Sequence, residues 1–144
     1  MTETAAFLKA LTPEAENGLG ARVLKIPCYP FRVGRESRIP GSSSFSDSRR
    51  RPGSTPNNDL YLIDAGQLLN ISREHFQIEK RNGSYVLVDR NSMCGTLVEG
   101  ETVGKGRNGG VRQLGNGDVI IVATSESRQI FKFIITNSVE AESS

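Results

Sequence analysis

The chain has 144 residues, with 18 Lys and Arg against 16 Asp and Glu, for a formal net charge of +2. That length suits one domain with its own core, and so small a charge excess lacks the concentrated basic face that nucleic-acid binding generally uses. There is no apolar run of about 18 residues to cross a membrane as a helix, and the first residues lack the basic-then-apolar order of a secretory signal.

Residues 1–20 mix Ala, Leu, Glu and Thr and end in Gly18-Leu19-Gly20. Ala5 to Leu11 holds enough helix formers for a turn or two, but an isolated segment this short is marginal. The expectation for 1–20 is a flexible N-terminal arm. A threonine on such an arm, Thr2 or Thr4, could fold back once phosphorylated and occupy an anion site on the same chain.

From Ala21 the texture changes to short apolar runs of period two. They predict strands over Arg22–Ile26, Phe31–Gly34, Asp59–Ile63, His75–Lys80, Tyr85–Asp89, Thr96–Val98, Val111–Leu114, Val119–Ala123 and Ile130–Thr136. Asn82-Gly83 separates two of these runs, and Asn116-Gly117 another two. Both dipeptides suit type I′ hairpin turns, whose central residues need φ > 0. Many short strands at close spacing predict an all-β sandwich or barrel. Its core is expected from Leu24, Ile26, Leu60, Leu62, Phe76, Ile78, Leu87, Val119, Ile121, Phe131 and Phe133. The domain is placed at 21–136, with a C-terminal tail at 137–144.

Residues 36–57 interrupt this texture with Ser, Arg, Pro and Gly, including Arg49-Arg50-Arg51. A loop this long inside a compact domain is usually functional or disordered, and the composition predicts a mobile insertion. The three arginines are read as solvated. Cys28, Cys94 and the single His75 lack metal-ligand spacing, so no metal and no cofactor is expected. The two thiols are read as reduced, in a cytoplasmic protein.

The polar residues at strand ends carry the chemistry. Arg35 ends one strand after Gly34, Ser72-Arg73-Glu74-His75 precedes another, and Gly95-Thr96 opens a third. Such loops can converge on an anion, and a guanidinium matches two phosphate oxygens with planar donors. A strand-end arginine is ordinarily only solvated, and a loop serine ordinarily bonds its own backbone. His75 has no acidic partner and no oxyanion-hole motif such as G-x-S-x-G nearby, so no catalytic residue is assigned.

Ordered blocks make the pattern specific. Gly34-Arg35 is followed by Asn58-Asp59-Leu60, Ser72-Arg73-Glu74-His75, Asp89 to Thr96, and Gly117-Asp118-Val119-Ile120. This order resembles the forkhead-associated (FHA) domain over roughly residues 21–136. The resemblance implies an FHA-like β-sandwich of about ten or eleven short strands, related to the SMAD/FHA group. It implies that Arg35, Ser72 and Arg73 contact a phosphothreonine peptide, with Met93 and Cys94 standing where the family has a hydroxyl residue and an asparagine. Gly34, His75, Gly95 and Thr96 are then structural residues around the site.

The implied role is a non-catalytic adaptor in Ser/Thr-kinase signalling. Its partner is a phosphothreonine-containing protein, namely a Ser/Thr kinase or its substrate, with no nucleic acid and no membrane involved. Met93 and Cys94 cannot donate as the family's residues do. That keeps open a phosphate-independent interaction or oligomerisation module on the same fold.

Overall fold

The computed structural model describes residues 4–35, 58–62, 71–106 and 109–137. Eleven strands among them form two sheets. In chain order they are β1 (Thr4–Ala10), a short helix α1 (Pro13–Leu19), β2 (Val23–Lys25), β3 (Phe31–Arg35), β4 (Leu60–Leu62) and β5 (Phe76–Arg81). Then come β6 (Ser84–Asp89), β7 (Thr96–Val98), β8 (Glu101–Val103), β9 (Val111–Leu114), β10 (Val119–Val122) and β11 (Ile130–Asn137). One sheet has the order β2-β1-β11-β10-β7-β8 and the other β4-β3-β5-β6-β9. The β3–β4 pair is parallel, while β5 and β6 flank each other antiparallel through the Asn82-Gly83 turn. Both turn residues have positive φ, 51° and 81°, as that turn demands.

The inner faces of the two sheets build one core. Phe31, Val33, Phe76, Ile78, Tyr85 and Leu87 face Leu8, Val98, Ile120, Val122, Phe131 and Phe133. Eight of the eleven expected core residues are buried: Ile26, Leu60, Leu62, Phe76, Ile78, Leu87, Phe131 and Phe133. Leu24 packs against the core while partly exposed. In β10 the expectation is one residue out of phase. Ile120 and Val122 are buried, whereas Val119 and Ile121 are the half-exposed pair. All four residues are β-branched, so alternation gives no phase, and a shift of one exchanges the faces.

The N-terminal arm is a correction. Residues 4–10 are strand β1, paired with β11 from Thr4↔Asn137 to Ala10↔Phe131 and with β2 on its other side. Ala6, Leu8 and Ala10 point into the core. Ala and Leu favour helix locally, but a buried slot between two strands overrides so weak a preference. Helical turns occur after it instead. Thr12 caps α1, its Oγ1 accepting from the Ala15 amide at 3.1 Å, and Pro13 follows in the first turn. Thr4 Oγ1 lies 2.7 Å from the Tyr85 hydroxyl, beside the Asn82-Gly83 hairpin. This pole is opposite to the one where β3 and β6 end, so Thr4 does not lie on an arm that can fold back. Thr2, the insertion at 36–57 and the tail beyond Asn137 lie outside the described residues.

Candidate functional site

Three connections meet at the pole where β3 and β6 end. They are the C-terminus of β3, the approach to β5 over 71–75, and the β6–β7 connection over 90–95. Backbone bonds tie the first two together: the Arg35 amide donates to Ser72 O at 3.0 Å and the His75 amide to Val33 O at 3.0 Å. Gly34 makes this approach possible. A Cβ there would lie 1.9 Å from the Arg73 carbonyl oxygen, so any side chain would force the two segments apart.

The fully buried His75 joins the second connection to the third. Its Nδ1 faces the Ser72 amide at 3.0 Å, and its Nε2 faces Gly95 O at 2.6 Å. An amide only donates and a carbonyl only accepts, so Nδ1 is the acceptor and Nε2 carries the hydrogen. Ala123 also donates to Gly95 O, at 3.1 Å. Gly95 has φ 75°, and a Cβ there would lie 2.9 Å from Val103 O. Thr96 is fully buried at the start of β7, and among the described residues its hydroxyl has no hydrogen-bond partner.

The β6–β7 connection is pinned from within. The Asp89 carboxylate accepts from the Ser92 amide at 3.1 Å and from the Ser92 hydroxyl, while Ser92 Oγ accepts from the Gly95 amide at 3.1 Å. Ser92 is fully buried. Across the gap, Ser72 Oγ accepts from the Met93 amide at 3.1 Å. That bond uses a lone pair and leaves the hydroxyl hydrogen available for an incoming oxygen.

The cations lie around this frame. Arg35 donates from Nε to Ile71 O at 2.9 Å, and among the described residues its terminal nitrogens have no partner. Arg73 is exposed, its carbonyl held by Asn58 Nδ2 at 2.7 Å. Met93 is exposed by 52%. Cys94, by contrast, is half-buried and packs against the core. Neither Cys28 nor Cys94 is in a disulfide.

Two residues the motif pattern carried without a role prove central. Asn58, nearly buried, holds Arg73 O through its amide nitrogen and accepts from Arg90 through Oδ1 at 2.5 Å. Arg90 also pairs with Glu74 at 3.2 Å. Burial holds the Arg90 guanidinium below its ordinary pKa. Next to it, Asp59 accepts from the Arg32 backbone at 2.9 Å and side chain at 3.1 Å, tying β3 to β4. Burial pushes the Asp59 carboxyl up, but the bonds from Arg32 outweigh it and hold the pKa below 3.8. Asn58 was visible in the Asn-Asp block, and Arg90 follows Asp89 directly; the signal was present without a partner to give it meaning.

The family model for the FHA domain matches residues 31–123. Among solved structures, an FHA domain from an Arabidopsis thaliana hypothetical protein aligns with 94% of this chain and 86% of its own, at 22% identity and a TM-score of 0.57. The N-terminal FHA domain of Rad53p from S. cerevisiae, solved with a phosphothreonine peptide, aligns with 96% of this chain and 98% of its own. Its identity is 18% and its TM-score 0.56. EmbR of Mycobacterium tuberculosis, solved with a low-affinity phosphopeptide, aligns over 90% of this chain at 22% identity and a TM-score of 0.56. This chain spans 24% of that protein's length. No curated protein sequence matches the chain. At these identities the likeness is one of fold.

Proposed function

The chain belongs to the FHA domain family, and from that premise we propose that it is a non-catalytic module that binds a phosphothreonine-containing segment of a partner protein. In this reading Arg35 and the Ser72 hydroxyl take the phosphate, and Arg73 adds charge or holds the target backbone. His75, Gly34 and Gly95 keep the three connections in register, with Thr96 buried at the start of β7. The observation that carries the reading is the convergence at one pole of Arg35, whose terminal nitrogens have no partner among the described residues, with a Ser72 hydroxyl that accepts from the Met93 amide and keeps its own hydrogen to donate. Charge-assisted hydrogen bonds of this kind are the strong ones.

The finer role is an adaptor in Ser/Thr-kinase signalling, with a kinase or its substrate as partner, in the cytoplasm. Among the described residues no helix is long and apolar enough to cross a membrane. The half-buried Cys94 favours a second reading: a phosphate-independent interaction module whose third connection has lost its donors. A phosphothreonine peptide library separates the two. Binding that phosphatase treatment abolishes supports the first reading, and binding that survives it supports the second.

A further inference from the structure

Strands β1, β2, β10 and β11 of the six-stranded sheet contain three lysines and no Asp or Glu. The strand registers set their outward side chains in rows across the sheet. In the middle row Lys9 stands directly opposite Lys132, with Val23 beyond Lys9 and Val119 beyond Lys132. In the row toward the start of β1, Phe7 stands opposite Ile134, and Lys25 continues it. In the row toward the end of β1, the Leu11 amide donates to Ile130 O at 2.9 Å, and Ile121 lies on the far side of Ile130. A lysine pair is thus set between two apolar pairs. Among the described residues, none of the three lysines takes part in an ion pair. Leu11, 42% exposed, and Val23, 45% exposed, supply two of the four exposed large apolar side chains among those residues.

Both features are unfavourable in water. Like charges directly opposite on adjacent strands, with Cβ atoms about 5 Å apart, destabilise the pair. A contiguous apolar patch edged by charge marks an interaction surface. The outer face of the other sheet carries no such burden, since Arg81 pairs there with Glu79 at 2.8 Å and Arg32 with Asp59 at 3.1 Å. A second copy of this chain would set three more lysines against the first three, so the face does not close on itself. An anionic lipid surface would meet the lysines. Most of the apolar side chains, however, are half-buried in a sheet and do not project far enough to enter it. A protein surface with a carboxylate between apolar residues satisfies both features. Successive rows lie about 6.7 Å apart along the strands. Helix positions three or four apart share a face and lie about 5–6 Å apart, which fits that spacing.

We propose that this face docks an amphipathic helix of a partner protein whose apolar stripe is interrupted by Asp or Glu. The carboxylate sits over Lys9 and Lys132, and apolar residues one turn to either side cover Phe7 with Ile134 and Leu11 with Ile130. The surface does not depend on the phosphate site, because Arg35 belongs to the other sheet. One module can therefore hold two segments at once.

The test selects phage-displayed amphipathic helices of about 20 residues on the full chain, with the position between the two apolar turns left random. Enriched peptides are then measured by fluorescence anisotropy against the wild type, Lys132→Glu and Lys132→Arg. Asp and Glu are expected to be enriched at the random position, and amide shift changes to fall on β1, β2, β10 and β11. Lys132→Glu is expected to weaken binding about tenfold or more, while Lys132→Arg keeps the charge and stays within about threefold of wild type. The free Lys132→Glu chain gains a cross-strand ion pair with Lys9, so its urea midpoint should equal or exceed that of wild type. If that midpoint falls instead, Lys9→Glu on the facing strand carries the same expectations. Peptides enriched without an acid, equal binding to the charge-reversed variant, or shift changes elsewhere would overturn the proposal. So would binding to vesicles of phosphatidylserine and phosphatidylcholine that Lys132→Glu abolishes, which would give the face to a lipid surface. Dimerisation in sedimentation that the same variant alters would give it to a second copy and overturn the proposal as well.

Discussion

Arg35 stands at the end of a strand whose backbone is already committed to Ser72, so its side chain adds to the fold only the bond from Nε to Ile71 O, while it is central to the proposed anion site. Arg35→Ala is expected to stay folded, at a cost of about 1 kcal/mol of stability for the lost bond, and to lose roughly 1.5–3 kcal/mol of phosphopeptide affinity, the worth of hydrogen bonds to a charged group. Calorimetry on the folded variant checks this; unchanged affinity would take Arg35 out of the site. Met93 and Cys94 are the converse case. Met93 is exposed with its amide fixed by Ser72, so a hydroxyl at that position would face the ligand without disturbing the loop. Met93→Ser with Cys94→Asn is expected to tighten phosphopeptide binding by about tenfold, since ~1.4 kcal/mol is a factor of ten. Cys94 packs on the core, so the same double change should cost about 1 kcal/mol of stability, read from urea denaturation. A folded double variant that binds no better would show that this loop does not face the ligand.

Elements were legible to the degree that their neighbours were local. The β5–β6 hairpin follows from Asn82-Gly83 between two alternating runs, and its register from Phe76↔Asp89 to Arg81↔Ser84 matches the two predicted strands within a residue. The three-residue β8 gave no such signal, being Glu101-Thr102-Val103 with only Val103 buried. β1 was misread because its partners, β11 and β2, are set by the whole fold and not by adjacent residues. The site divides the same way. Gly34, Arg35, Ser72 and His75 stand in short motifs, whereas the Asn58–Arg90–Glu74 chain joins three segments that are distant in sequence. At the edge of the second sheet, β4 has three residues and depends on Asp59 holding Arg32. The Asp59 carboxyl titrates lower in the folded chain than in the unfolded one, so the unfolded state binds more protons in acid. Its contribution is complete above about pH 4 and is lost as pH falls through the lower folded value. Asp59→Asn should therefore flatten the acid limb of stability against pH, measured as urea midpoints between pH 5 and pH 2, all about these values. An acid limb identical to wild type would show that another carboxylate governs it.

At the scale of the molecule, β1 is an interior strand of the six-stranded sheet and not an appendage. Removing residues 1–10 would uncover the edges of β2 and β11 and strip Ala6, Leu8 and Ala10 from the core. The truncated chain is expected not to fold, giving collapsed dispersion in an amide-resolved NMR spectrum and loss of the cooperative thermal transition. A well-dispersed spectrum from that truncation would mean that β11 closes the sheet without it. The β1–β11 pairing has one more result. Thr4 stands opposite Asn137 in the register, on adjacent strands about 5 Å apart, at the pole remote from Arg35 and Ser72. A few glycines can therefore join the start of β1 to the end of β11, and a new opening cut at the Asn82-Gly83 hairpin yields a circular permutant. Such a permutant carries its new seam like a handle at the back of the molecule and leaves the loops at the proposed site untouched.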